Sequence, residues 1–304
     1  MCGLVGYSGK NTNIMKTVSL MMDNDQRGGH STGIFNNDKL TKVVGDSMNL
    51  MPKIQDINTG NVVIGHTRYA THGKKNTKNA HPYQYGNITG AHNGVLSNYK
   101  EVGKKYGLKE TIVDSQMIFK VLNKTKDFQT LGKFTGTGVN VLFTVDNKLY
   151  VYRKDNSGND SYSLYGGKDK NGIYISSEKD ALSNICDDVE EVKQDTLYTI
   201  EKGSIIEKTT IKSNPIKTKV KVKNLYEYDD VEEVKTDNNS YLEDFGMKRD
   251  YSYGLDNEDY AISEDQEFES HIKTLEDLMY NTKLSDEMAS RVWDLYDYMH
   301  QFQY

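Results

Sequence analysis

Two cysteines, Cys2 and Cys186, are all that the 304 residues hold. That leaves no basis for a disulfide framework or a thiolate metal cluster and points to a cytoplasmic setting. No apolar run approaches the roughly 20 residues of a membrane span. The amino terminus lacks the basic and then apolar layout of a signal peptide, so no membrane partner is expected. Nothing repeats at a fixed period, which excludes solenoids. Lysines are scattered without a stripe of interleaved aromatics, so nucleic acid is not an expected partner. With no nucleotide-binding signature and no cysteines for a cluster, no cofactor and no metal are expected.

What is present divides in two. Residues 221–304 carry 22 acidic and 8 basic side chains, a net charge of −14; of the totals of 44 and 38, this leaves 22 acidic and 30 basic in residues 1–220, a net charge of +8. An acidic end of this kind is suited to lie on its own basic domain or on a basic partner. Residues 221–262 are rich in acid and tyrosine and lack periodicity, as in an extended linker or arm. Ser263-Glu264-Asp265-Gln266 has the form of a capping box, and Phe268, Ile272, Leu275 and Met279 follow at helical spacing. Ser285 precedes a second such set, Met288, Val292, Leu295 and Met299. Two short amphipathic helices make little core of their own. Their apolar stripes are expected to bury on the first domain, on a partner enzyme or on a second copy of the chain. The expected divisions are a domain over 2–210, an acidic linker or arm over 211–262 and a helical extension over 263–304.

The first region mixes strands with a few long helices. Gly3–Tyr7, Leu40–Val44, Val62–Arg68 and Ile88–Asn93 read as strands, and Ile14, Val18 and Met21/Met22 predict a helix over 12–25 that stops at Arg27-Gly28-Gly29. A helix is expected from Ser97 through Lys105, and Asp114 or Ser115 caps another whose apolar positions are Met117, Ile118, Val121 and Leu122. Strands follow at Val139–Val145, Lys148–Arg153, Gly172–Ser176, Thr196–Glu201 and Ser204–Thr209, with turn signals at Asp146-Asn147, Gly166-Gly167 and Asn171-Gly172. This pattern fits an α+β fold of sheets packed on each other with helices outside.

The chemistry centres on Met1-Cys2-Gly3. A free thiol has a pKa near 8.5 and needs a base to become nucleophilic. If Met1 is removed, Cys2 carries both a thiol and an α-amine, so nucleophile and base come from one residue. The alternative is a buried, inert cysteine at a strand start. Three further stretches supply matching groups. Gly65 to Gly73 ends a strand in Arg68, Thr71 and His72, and an arginine there can grip a carboxylate with two donors. His92-Asn93-Gly94 offers a side-chain amide and a glycine N–H, the donor types of an oxyanion hole. Asp114, at a helix start, can receive an ammonium. Each has an ordinary structural reading alone: an ion pair, a turn, a helix cap.

In this order behind Met-Cys-Gly-Leu-Val-Gly, these stretches closely resemble the class II glutamine amidotransferase domain, an N-terminal-nucleophile hydrolase, most densely over 2–122 and more thinly to about 205. Arg27-Gly28-Gly29-His30-Ser31-Thr32-Gly33 resembles the family's Arg-Gly-x-Asp-Ser-x-Gly. Gly65 to Gly73 and Asn79-Ala80-His81-Pro82 are similar to the glucosamine-6-phosphate synthase branch, and Tyr174 to Glu178 resembles the Ala-Ser-Glu segment of the amidophosphoribosyltransferase branch. Two positions depart: His30 stands where the family usually has Asp, so the loop after the first helix is expected either to be arranged differently or to titrate near neutrality, and Tyr69 replaces the Trp of the glucosamine-6-phosphate synthase branch.

The resemblance implies a four-layered αββα sandwich with an acidic, partly helical C-terminal extension, and glutaminase chemistry through a γ-glutamyl thioester. By that likeness Cys2 is the nucleophile, Asn93 and Gly94 hold the oxyanion, Arg68 binds the α-carboxylate of L-glutamine, Asp114 its α-ammonium, and Thr71 and His72 line the pocket. About 100 residues follow the first domain, without a phosphoribosyl-diphosphate loop or paired sugar-isomerase modules, so a separate ammonia-acceptor synthase or self-association through the C-terminal helices is expected. The alternatives are a catalytically silent binding or regulatory protein with this fold, and an amide hydrolase of the same superfamily with another substrate.

Overall fold

A computed structural model describes residues 1–10, 14–37, 39–54, 60–157 and 161–213. Beyond residue 213, the expected acidic arm and the helical extension lie outside the described residues.

Seven strands form one sheet: β1 (Gly3–Gly9), β2 (Ser31–Asn36), β3 (Lys39–Val44), β4 (Val62–Arg68), β9 (Tyr165–Lys168), β10 (Gly172–Ser176) and β11 (Asp187–Glu191), in the spatial order β11-β9-β10-β1-β4-β2-β3. Six form the other: β5 (Tyr83–Tyr85), β6 (Ile88–Asn93), β7 (Asn140–Val145), β8 (Lys148–Tyr152), β12 (Thr196–Glu201) and β13 (Ser204–Thr210), in the order β13-β12-β8-β7-β6-β5. The described pairings are antiparallel. Helices α1 (Ile14–Asp25), α2 (Met51–Ile54), α3 (Tyr99–Lys105), α4 (Ser115–Thr125) and α5 (Lys179–Ser183) complete the layers.

The sheets face each other through an apolar layer that includes Leu4, Ile64, Ala91, Leu142 and Ile175. Helix α1 covers the outer face of the first sheet with Val18, Leu20 and Met21, and α4 covers the second with Met117, Ile118, Val121 and Leu122. The fold is therefore α+β in four layers, αββα, as the family resemblance implies. Because β1 and β4 have a layer on each side, they are buried along their whole length, including the polar His66, Thr67 and Arg68 that end β4.

Local signals act where expected. Asp146 and Asn147 take φ of 50° and 59° between β7 and β8, the conformation of a tight primed hairpin turn. Asp114 stands at the cap of α4 in a helical conformation and accepts the N–H of the next residue, Ser115, at 2.8 Å. Gly166-Gly167 corrects the turn reading, because both residues lie within β9. There Cys186 packs so closely that a Cβ on Gly167 would sit 2.7 Å from the Cys186 Cβ. The pair of glycines serves close approach and not a reversal of the chain.

Candidate active site

The amino terminus lies at the end of β1, between the C-terminal ends of β4 and β6. Asn93 accepts the Cys2 backbone N–H on Oδ1 at 3.3 Å. The Cys2 sulfur lies against the Tyr69 backbone, 3.3 Å from its N–H and 3.5 Å from its carbonyl oxygen. Arg27 donates to the Cys2 carbonyl at 3.2 Å. Burial raises the Cys2 thiol pKa, while the Tyr69 N–H, the terminal amine and the Arg68 guanidinium pull it down and the Asp114 carboxylate raises it. The nucleophile candidate, guanidinium and carboxylate thus share one electrostatic neighbourhood. Burial also lowers the pKa of the Met1 amine. Cys186 is a different kind of cysteine, buried in the α1 layer with its thiol pushed up to about 12.

Each remaining predicted residue has a definite place. Arg68, 2 % exposed at the end of β4, donates to the carbonyls of His72 and, at 3.3 Å, Lys74. The loop after β4 therefore wraps its own arginine. His72 contributes its backbone oxygen there, while its Nδ1 lies 3.3 Å from Thr71 Oγ1. Asp114 is buried, and beyond its cap bond it accepts the Leu96 N–H at 2.8 Å, which ties the loop after Asn93-Gly94 to α4. Ser115 Oγ lies 3.4 Å from Oδ1 as well, and a carboxylate's roughly four lone-pair sites still leave one available. Gly94 has φ of +147°, and a Cβ there would lie 1.9 Å from the Gly138 carbonyl oxygen.

His30 corrects the expectation of titration near neutrality. Its Nδ1 accepts the Ala70 N–H at 3.0 Å, and its ring stacks on Tyr69 at 4.8 Å. Burial, with Lys75 and Arg68 nearby, pushes its pKa down to about 4, so the imidazole is neutral at physiological pH. The sequence reading missed the Tyr69 backbone as a contact of the thiol, since main-chain groups leave no mark in residue types. Among the described residues, no group of three or more His, Cys, Asp or Glu side chains could hold a metal ion. No described helix is long and apolar enough to cross a membrane.

No family profile matches the chain. Curated relatives do. A glutamine–fructose-6-phosphate aminotransferase of Streptococcus agalactiae is 31% identical over 192 residues, covering 60% of this chain and 30% of the relative. The same-named protein of Campylobacter jejuni is 30% identical over 227 residues, covering 68% of this chain and 37% of the relative. The chain carries a class II glutamine amidotransferase domain. A solved glutamine phosphoribosylpyrophosphate amidotransferase from B. subtilis superposes on the amidotransferase domain with a TM-score of 0.59 at 20% identity, covering 70% of this chain and 50% of that one, which shows a shared fold. The chain spans only about a third of the curated relatives' length, 30% and 37% in these two cases.

Proposed function

We propose that the amidotransferase domain hydrolyses the side-chain amide of L-glutamine to glutamate and ammonia, with Cys2 as nucleophile after removal of Met1. One observation carries this reading. Asn93 turns its oxygen to the Cys2 N–H, and its Nδ2 is buried with no partner among the described residues. A buried amide donor without an acceptor costs about 1–3 kcal/mol. That cost is offset when an oxyanion accepts from it.

Loss of Met1 turns the Cys2 nitrogen into an α-amine beside its own sulfur. That amine takes the thiol proton, and Asn93 Oδ1 orients it. The sulfur attacks the amide carbon, and Asn93 Nδ2 and the Gly94 N–H receive the developing negative charge. Collapse of the adduct expels ammonia, protonated by the same amine, and leaves a γ-glutamyl thioester. Water, activated by the amine, then attacks the thioester and frees glutamate. Arg68 anchors the α-carboxylate and Asp114 the α-ammonium, with Thr71 and His72 beside them, so the zwitterion is held at both charges with its amide at the sulfur. The ammonia passes to an acceptor outside the described domain, either another domain or a separate synthase; residues 214–304 are the candidate segment to recruit such a synthase or a second copy of this chain.

Purified protein whose mass confirms the absence of Met1 is expected to release glutamate from glutamine, and Cys2→Ala is expected to bind glutamine without turnover. A processed protein that binds glutamine and never hydrolyses it would support a binding or regulatory role instead.

A further inference from the structure

Behind the Asn93-Gly94 dipeptide runs a buried chain of polar groups that the reaction above does not use. His92 on β6 is 1 % exposed. Its Nε2 lies 3.3 Å from the Gly138 carbonyl oxygen and its Nδ1 lies 2.8 Å from Ser115 Oγ. Burial lowers its pKa, so the ring is neutral with a single N–H. A carbonyl can only accept, which places that hydrogen on Nε2 and makes Nδ1 an acceptor. The Ser115 hydroxyl therefore donates to His92. Ser115 Oγ also lies 3.4 Å from Asp114 Oδ1, but its one hydrogen is committed to the imidazole.

The other end of the chain reaches the oxyanion donors. A Cβ on Gly94 would fall 1.9 Å from Gly138 O and 2.9 Å from His92 Nε2, so the Gly94 backbone is laid directly on the carbonyl that His92 holds. The His92 carbonyl is itself held by His66 Nε2 at 3.1 Å.

We propose that Ser115 is a positioning residue for the oxyanion hole: by donating to Nδ1 it fixes the His92 tautomer, and the resulting Nε2–H pins Gly138 beneath Gly94. The same commitment keeps a hydroxyl hydrogen off Asp114, whose lone pairs stay open to a cation. The catalytic consequence rests on the glutaminase reading, while the tautomer does not.

Two measurements separate these. Nitrogen NMR of histidine-labelled, Met1-processed protein is expected to find His92 as the Nε2–H tautomer, and Ser115→Ala is expected to mix the tautomers. In glutamine hydrolysis, Ser115→Ala is expected to lower kcat about tenfold with KM changed less than about twofold, as for a group that serves the transition state. Ser115→Thr, which keeps the hydroxyl, is expected to retain kcat within about threefold. An Nδ1–H tautomer in the unsubstituted protein would overturn the proposal whether or not any variant folds. An unchanged kcat in Ser115→Ala, or a loss confined to KM, would overturn it as well. If the unsubstituted protein does not turn over glutamine, the glutaminase reading falls and the tautomer result alone decides the relay.

Discussion

Arg27 and Glu178 meet at 2.7 Å, joining the turn after α1 to the segment after β10. The same guanidinium donates to the Cys2 carbonyl and, at 3.0 Å, to the Ser161 carbonyl. Ser177 next door brackets Leu4, accepting its N–H on Oγ at 3.0 Å and donating its own N–H to the Leu4 carbonyl at 3.0 Å. The backbone at the nucleophile is thus held by hydrogen bonds that span 25 and 173 positions in sequence.

Arg27→Ala is expected to cost about 2–3 kcal/mol of stability, since it leaves a half-buried Glu178 and the Cys2 carbonyl without their donor. Denaturant unfolding measures this, and a cycle with Glu178→Ala isolates the pair. Arg27→Lys should recover little, because one ammonium on a flexible stem cannot serve three acceptors in the geometry of a planar fork.

Gly94→Ala is expected to abolish glutaminase activity and to lower the melting temperature. The side chain would have to occupy the space of the Gly138 carbonyl at a φ that L-residues rarely adopt. A variant with near-normal turnover would remove Gly94 from the proposed oxyanion site.

Arg68→Ala is expected to reduce kcat/KM for glutamine by about a hundredfold or more, the scale of a lost charge-assisted pair. Hydrolysis of an amide without an α-carboxylate should fall far less. Equal losses on both substrates would assign Arg68 to holding the His72 and Lys74 carbonyls and not to the substrate.

Stability should respond to pH on both flanks. Buried His66, pushed down to about 3, and His30, at about 4, take up protons more readily when unfolded, so stability is lost as pH falls below about 6.5 toward those values. Asp25 is pushed up to about 8, chiefly by burial, and accepts from the Ser47 N–H and hydroxyl. Its folded form holds the proton more tightly, so stability declines as pH rises from about 4 to 8. Melting temperatures across pH 4–9 should flatten on the alkaline side in Asp25→Asn, and a profile identical to the parent's would reject the assignment to Asp25.

The sequence made the elements with strong local marks legible. β4 and β6 were bounded to the residue, and α4 began at its cap, because apolar periodicity and an Asp-Ser cap are properties of neighbours in the chain. Strands without such marks were missed. β2, Ser31–Asn36, has few apolar residues yet is wholly buried, since β4 and β3 flank it. β11, Asp187–Glu191, is nearly all acidic and exposed, the composition of an edge strand and of a loop alike.

The residue types at the site were set by the sequence alone: a cysteine beside the terminus, an arginine closing a strand, an Asn-Gly pair and an aspartate at a helix start. Only the tertiary structure decided their states. It aimed Asn93 Oδ1 at Cys2 and left Nδ2 without a partner among the described residues, laid the Tyr69 backbone against the sulfur, and held His30 neutral where its type suggested titration. Hydrogen-bond direction and desolvation depend on which groups meet across the fold, and those meetings join strands far apart in the chain.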